Sequence, residues 1–459
     1  MNIRWKRILF SYLLFLVCSC IFVNASSQAV SLQEYIDQGF KNNIVLQQKK
    51  VSLDKAMYAL QTAQSMFLPT VALQGNYQTS SGGRSIDIPV GDLLNPVYTT
   101  LNQLTSGNNF PQVKNVSQNF LPTNFYDARL HTTVPIINND LRYNKKIQEQ
   151  QVNLQQYEIE IYQRELVKNI KTAYFNYITA LEAVKIYKSS ALLAEEGKRV
   201  NESLLQNGKG LPAYVLRSIS EIESIKAETN NAQMQANNAR AFFNFLLNKS
   251  ASDSINASFN GQDSLPNVLK LMEDQPGINN REELKSLNQS VQLNQTVNEM
   301  NRNYWVPKLN GFVDVGSQAE DWKFNSTSRF YFAGLQMEMP IFSGNRNKIK
   351  LKQSQADIKQ AQLSLELATS QLTLAGYTAR NNLLSIYQTY QSSLKQLDAA
   401  SSYQRLIDKG YKAGTNTFIE TVDARNQFTA ASLSLTINLY KVFIAAAELE
   451  RQTASYTIH

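Results

Sequence analysis

Phe67-Leu68-Pro69-Thr70 recurs as Trp305-Val306-Pro307-Lys308, each time closing a helical stretch and opening an alternating one. Val134-Pro135-Ile136 recurs in the same way as Met339-Pro340-Ile341, each closing an alternating stretch and opening a very long helical one. A glycine-bearing break then interrupts each long helix, first at Gly208-Lys209-Gly210-Leu211-Pro212 and later from Gly410 to Thr417. From Pro135 to Gly210 is 75 residues and from Pro340 to Gly414 is 74. Landmarks repeated at one spacing mark an internal duplication, which sets the reading of everything between them. The repeats are expected over residues 26–247 and 279–452, with a connector at 248–278 and a tail at 453–459.

Before the first repeat, Arg4, Lys6 and Arg7 precede an apolar run from Ile8 to Val23, and Val23-Asn24-Ala25 supplies small residues for cleavage. Residues 1–25 are therefore expected to be a secretory signal peptide. Val17-Cys18-Ser19-Cys20 also resembles a bacterial lipobox, which would leave Cys20 lipidated, so both processing routes stay open. Both cysteines lie in this segment, so no disulfide or cysteine-based metal site is expected to hold the mature chain. Removing the three leader cations lowers the formal charge from +8 to +5. The remaining charge is scattered along helices and leaves no nucleic-acid footprint. No later run is expected to reach the ~18 apolar residues of a membrane helix, so a membrane span here would have to be made of strands.

Four stretches alternate. Val71, Leu73 and Tyr77 interleave with Ala72, Gln74, Asn76 and Gln78, and Ala128, Leu130 and Val134 with Asp127, Arg129 and His131. Leu309, Val313 and Val315 interleave with Asn310 and Asp314, and Tyr331 to Met339 follows the same rule with Gln336 and Glu338 on the polar side. Strands are expected at about 70–80, 124–134, 307–316 and 329–339. That length and two-faced pattern suit a tilted strand crossing a bilayer, and equally a half-buried sheet in a soluble domain. Four spanning strands cannot close alone, and open edges in hydrocarbon cost several kcal/mol per unpaired group. Several chains must then pool them; two copies give eight strands and three give twelve, both permitted sizes. Gly316 to Ser328 reads as a short loop. Ser81 to Thr123 reads as a long one rich in Gly, Pro, Asn and Ser, functional or disordered.

Asn139 to Asn207 contains no proline and one glycine, Gly197, and Asn345 to Lys409 contains no proline and only Gly376. At ~1.5 Å per residue each is a rod of roughly 100 Å, which must pack along other helices. Leu351, Ile358, Leu365, Leu372, Ala379 and Ile386 fall seven apart, with Ala361, Ala368 and Ala375 beside them. Val152, Ile159, Leu166, Ala173, Ala180 and Tyr187 keep the same step in the first repeat. Large residues in one row and alanines in the next suit knobs-into-holes packing. Return helices are expected at Ala213 to Leu247 and Phe418 to Glu450, making each repeat an antiparallel coiled-coil hairpin.

Duplicated strand pairs with proline punctuation, feeding helices of this length, resemble the TolC family of outer-membrane efflux channels over about residues 31 to 452. The resemblance implies a mostly α fold with transmembrane β. Four strands per chain would join a trimeric twelve-stranded outer-membrane barrel, continuous with a twelve-helix periplasmic tunnel. It implies a Gram-negative outer-membrane exit channel for tripartite efflux or type I secretion. Such a channel passively conducts substrates handed over by an inner-membrane transporter and a periplasmic adaptor. It implies no cofactor, no metal and no nucleic-acid partner. Tyr411-Lys412-Ala413-Gly414-Thr415-Asn416-Thr417-Phe418-Ile419-Glu420-Thr421-Val422-Asp423 resembles the family's hairpin tip, where two acids three apart line the pore constriction; Glu420 and Asp423 fill those positions. By the same resemblance Gly210, Leu211 and Pro212, with Tyr411, Gly414, Thr415, Asn416 and Thr417, form the tips that contact the adaptor. A plainer role is open for Glu420, as a first-turn acid on a helix capped by Thr415 or Thr417. The chain departs from the family at Asn416, which replaces a basic residue, and at Leu216, which replaces an acid that would bond Tyr411.

His131 and His459 are the only histidines, and no HExxH, GxSxG or glycine-rich phosphate loop occurs, so no enzyme chemistry is expected. The rival reading is a periplasmic coiled-coil adaptor or scaffold without a pore.

Overall fold

The computed structural model describes residues 31–273, 277–278 and 280–458. The expected leader and Cys20 lie outside the described residues. The chain divides into two units. One contains the described residues up to Asp54, Asn153–Gln289, and everything from Gln362 onward; the other contains Lys55–Val152 and Ser290–Ala361.

The second unit holds six strands: β1 (Thr70–Gln78), β2 (Ser85–Ile88), β3 (Val116–Asn119), β4 (Phe125–Ile137), β5 (Lys308–Glu320) and β6 (Arg329–Glu338). Four of them form an antiparallel sheet in the order β1-β4-β5-β6. The register aligns Leu73 with Leu130, Leu130 with Val315 and Val315 with Tyr331, so one parity of every strand faces one side. Val71, Leu73, Tyr77, Leu130, Val313, Val315, Tyr331, Leu335 and Met337 make that side apolar, yet every one of them is at least 45% exposed. The opposite side carries Gln74, Asn76, Asp127, Arg129, His131, Asn310, Asp314, Gln336 and Glu338. There His131 Nδ1 shares a hydrogen bond with Asp314 directly across the strand pair. A soluble sheet covers its apolar face; this one presents it outward.

The two central strands, β4 and β5, are longer than their patterns, while β1 and β6 stop slightly short of theirs. β4 continues through Pro135, past the end of its pairing with β1 at Thr133, so the missing N–H falls where one side of the strand is free, and the register against β5 shifts between Pro135 and Ile137. β6 stops at Glu338, ahead of Pro340, so the two matching prolines act differently. β5 runs on to Glu320 and shortens the expected loop to a turn. That turn is aromatic: Trp322 stacks on Tyr126 and Tyr77 with ring centroids 5.4 and 5.5 Å apart. The long 81–123 segment is a folded excursion, with helix α3 (Val90–Leu104) lying between β2 and β3, themselves an antiparallel ribbon.

The remaining helices are α1 (Leu32–Asn42), α2 (Ile44–Ser65), α4 (Asn139–Gln206), α5 (Pro212–Leu246), α6 (Gly261–Glu273), α7 (Glu282–Arg302), α8 (Arg346–Ala413) and α9 (Phe418–Thr453). α8 runs through Gly410, so the second break is only Gly414 to Thr417. In α4 the heptad members Ile159, Leu166 and Ala173 are buried; in α8 Ala379 is buried and Leu351 to Leu372 are half-buried. The first unit's core gathers Tyr35, Ile170, Tyr174, Phe175, Phe243, Leu383, Tyr440, Phe443 and Leu449. Gly39 lets the helices approach closely there, since a Cβ would meet Ile170 Cδ1 at 2.4 Å and that side chain would have to shift. α9 corrects one expectation, being long and apolar enough by composition to cross a membrane. Its apolar content serves packing: Tyr440, Val442, Phe443, Ala445, Ala446, Ala447 and Leu449 are buried.

A belt of ion pairs borders this core. Buried Arg281 donates to Glu283 at 2.8 and 2.9 Å and to Gln452 O at 2.9 Å. Arg451 bridges Glu283 at 2.6 Å and Glu165 at 3.2 Å, and Arg164 holds Glu282. Burial pushes the Glu283 carboxyl up, but the Arg281 hydrogen bond and the charges of Arg451 and Arg281 outweigh it and bring it down to about 2. A depressed carboxyl stabilises the fold above its unfolded value and loses that contribution as pH falls toward its folded one. Unfolding of the purified protein followed against pH is expected to show stability falling between about pH 4.5 and pH 2. Glu283→Gln is expected to lower stability at pH 7 and to flatten that fall.

Candidate functional site at the hairpin tips

α4 ends at Gln206 because Gly208 turns left-handed (φ +68°), with Lys209 N–H returning to Leu204 O at 2.9 Å. Gly210 must be glycine, since a Cβ there would sit 2.6 Å from Leu205 N. Leu211 is extended at the N-cap and Pro212 takes the first helical position, where no donor is needed. The second tip follows the same logic. Gly414 turns left-handed (φ +81°), and Thr415 N–H donates to Gly410 O at 2.9 Å. A Cβ on Gly410 would lie 1.8 Å from Asn416 Oδ1, so the returning turn needs that glycine although it lies inside α8.

Thr417 then starts α9 with a full capping box: Glu420 N–H donates to Thr417 Oγ1 at 3.3 Å, and Thr417 N–H to Glu420 Oε2 at 2.6 Å. Asn416 Nδ2 and Thr417 Oγ1 donate to the same oxygen at 3.2 and 3.1 Å. The Thr417 backbone bond, then the side-chain bonds from Asn416 and Thr417, hold the Glu420 carboxyl below its usual value. Asn416, in place of the family's basic residue, is thus tied into the turn. Asp423 lies one turn on, exposed, accepting from Gln427 Nε2 at 2.8 Å. Glu420 and Asp423 share a helix face by spacing, but only Glu420 bonds to the tip.

Beneath the tips, residues from four helices meet. Tyr411 of α8 donates its hydroxyl to Asn201 Oδ1 of α4, and Asn201 Nδ2 donates to Ser218 Oγ of α5 at 2.9 Å. Phe418 of α9 lies between Tyr214 and Tyr411, with centroids 5.4 and 6.0 Å away. One turn deeper, Arg425 Nη2 donates to Glu221 Oε2 at 2.9 Å and Nη1 to Leu193 O at 3.3 Å. The guanidinium fits over Gly197, where a Cβ would meet Nη1 at 2.3 Å. Burial raises the Glu221 carboxyl more than the charge and hydrogen bond of Arg425 lower it. Glu221 Oε1 and Arg425 Nε are buried and accept or donate no hydrogen bond among the described residues. A pair satisfied on one edge only fixes geometry better than it stabilises, since desolvation of both charges is incompletely offset.

Sequence reasoning found the tips and missed this clasp. It left Tyr411 without its acidic partner; Asn201 is the acceptor, while Leu216 points to solvent at 68% exposed. Asn201, Ser218, Glu221 and Arg425 resemble any polar residues on solvated helices. The one readable signal was Gly197, the sole glycine in α4.

A family model described as outer membrane efflux protein matches residues 35–249 and 277–455. Outer membrane protein TolC of Escherichia coli (strain K12) is 21% identical over 444 residues, covering 91% of this chain and 81% of that protein. The open-state MtrE outer membrane channel of Neisseria gonorrhoeae superposes with a TM-score of 0.71 at 17% identity, over 92% of this chain and 88% of that one. The CmeC outer membrane channel of Campylobacter jejuni gives 0.70 at 14% identity, over 92% and 85%.

The clasp leads to a specific expectation in unfolding experiments. Glu221→Ala strands Arg425 in a buried site and is expected to cost about 3–5 kcal/mol, whereas Glu221→Leu with Arg425→Met is expected to recover most of that loss.

Proposed function

The chain belongs to the outer membrane efflux protein family, and from that premise we propose that three copies assemble into one channel: each supplies four strands to a closed barrel and two helical hairpins to a periplasmic tunnel. The protein is an efflux channel of the outer membrane. The observation that carries closure by further copies is the sheet itself, apolar outward, polar on the other face, with β1 and β6 each paired on one side only among the described residues; the number three comes from the family. A sheet of that kind is stable in hydrocarbon only when its edges are closed. Aromatic residues at both ends of the strands, Tyr77, Tyr126 and Trp322 at one and Tyr304 and Trp305 at the other, suit the two interfaces of a bilayer. α8 adds an exposed apolar stripe: Leu363, Leu367, Leu374, Tyr377 and Leu384 are 48 to 65% exposed. Neighbouring copies cover that stripe. A pore-free periplasmic adaptor has no use for an outward apolar sheet, and the family match disfavours it.

Substrate passes through without chemistry, delivered by an inner-membrane transporter and a periplasmic adaptor that docks on the tips. The tip surface offered to the adaptor is Gly210-Leu211-Pro212 and Tyr411 with Gly414 to Thr417. Glu420 and Asp423 form the constriction, where three copies stack two rings of carboxylates that favour cations and repel anions. The capping box suits this role, because it anchors the Glu420 side chain at the helix start. Opening separates the α8–α9 hairpin from the α4–α5 hairpin, which parts the Tyr411–Asn201 bond and draws Arg425 from its notch at Gly197.

Single-channel recording of the purified protein in a planar bilayer tests this reading. The expected result is a small cation-selective conductance that Glu420→Gln with Asp423→Asn makes markedly less selective. Thr417→Ala, which removes the cap but no charge, is expected to change gating and leave selectivity intact. Selectivity unmoved by the acid substitutions would remove the constriction from the account. Polar replacement of Leu363 and Leu374 is expected to shift the purified protein from trimer toward smaller species on native gels.

A further inference from the structure

The excursion joining β1 to β4 is folded with its polar side inward. Asn95 clasps Val113, donating to its carbonyl at 2.9 Å and accepting from its N–H at 2.8 Å. Asn102 grips Phe110 in the same way at 2.8 and 3.0 Å. Asp92 N–H donates to Asn115 Oδ1 at 3.1 Å, and Asn115 Nδ2 returns to Asp92 Oδ2 at 3.0 Å. Gly91 lets the two segments touch, since a Cβ would lie 2.4 Å from Val113 O. At ~100° per residue, Asp92, Asn95, Thr99 and Asn102 share one side of α3, while Leu93, Leu94, Val97, Leu101 and Leu104 lie roughly opposite. Leu93, Leu94, Val97 and Leu104 are 36 to 77% exposed. The amide clasps order this helix, and most of its apolar stripe stays exposed, with Leu101 half-buried.

We propose that the stripe on α3 is a docking surface for α3 of the other two copies, so that three such helices pack about the threefold axis and gate the channel at its external mouth. The proposal rests on the trimeric reading above. Its first support is continuity: the excursion leaves the sheet from β1, the open edge that meets the next copy, so it begins at a seam between copies. Reach is the second. Twelve tilted strands at ~4.8 Å spacing enclose a barrel of roughly 12 Å radius, and a helix of 15 residues is about 22 Å long, enough to extend from rim to axis. Charge is the third. The excursion carries only Arg84, Asp87, Asp92 and Lys114, a net of zero. An interfacial lipid-binding helix brings lysine and arginine on its polar face; α3 has only Asp92 there. Three neutral copies meet without repulsion.

The test uses the full-length channel in nanodiscs. Val97→Cys, treated with a short bismaleimide, is expected to give covalent dimers and trimers. Gln103→Cys, on another side of α3, is expected to give few. Val97→Asn with Leu104→Asn is expected to raise single-channel conductance at least about twofold by loosening the external contact. A native trimer in which Val97→Cys crosslinks no better than Gln103→Cys overturns the α3 contact and leaves the channel reading standing. Quenching of a fluorophore on Val97→Cys by nitroxide lipid overturns it too, by placing the stripe in the membrane. A wild-type sample that is not trimeric overturns both.

Discussion

Everything in this protein follows from two unpaired strand edges. β1 and β6 end a four-stranded sheet whose outward face is apolar, and neither edge has a partner among the described residues. In water such an edge costs little beyond a risk of aggregation, because solvent bonds the free N–H and C=O groups. In hydrocarbon each free group costs several kcal/mol, and the chain alone cannot avoid that cost. Closure by further copies is the solution open to a chain with four spanning strands. A pooled barrel also puts the polar parity of every strand, from Gln74 to Glu338, around a shared interior. The outer-membrane address of the family and the pore are two consequences of one geometric deficit.

The helices meet the opposite requirement. On the proposed opening, they must pack tightly enough to form a wall, yet part at one end. The first unit's core is rich in Tyr, Phe and Leu and bordered by the Arg281–Glu283–Arg451 belt, where Arg281 bonds both Glu283 and Gln452 while Arg451 Nη1 is buried without a hydrogen bond among the described residues. Near the tips the packing changes character. Phe418 packs there between two tyrosines, and beside it stand a tyrosine hydroxyl bond and an ion pair with Glu221 Oε1 and Arg425 Nε left unbonded. Polar joints of this kind give direction with little net stability, which suits a contact that is made and broken.

The sequence disclosed whatever is periodic. Alternation located four strands and their faces, the heptads of α4 and α8 marked the less exposed side of each rod, and Gly and Pro marked the tips. It misjudged features that depend on a neighbour. Pro135 and Pro340 look equivalent, yet β4 carries its proline past the end of its pairing with β1, with a register shift against β5, whereas β6 ends before Pro340. Gly410 looked like a helix end but serves the turn that folds back over it. The 81–123 segment looked like a loop because Asn95, Asn102 and Asn115, common turn residues, here clasp backbone several residues away. The tip clasp was illegible because its two halves lie far apart in the chain: Asn201 and Glu221 flank the first tip, whereas their partners Tyr411 and Arg425 flank the second, more than 200 residues later. Glu420 carried two readings; the structure assigns it a cap, and its place in the pore is the proposal built on that.

The most direct test of the account is a cryo-electron microscopy reconstruction of the protein in lipid nanodiscs, asking what each edge strand pairs with. Three chains are expected, with β1 of each hydrogen-bonded to β6 of the next, so that four strands per chain close into a ring of twelve within the bilayer. A barrel closed by another number of chains, or a sheet outside the membrane with β1 and β6 unpaired, would contradict it.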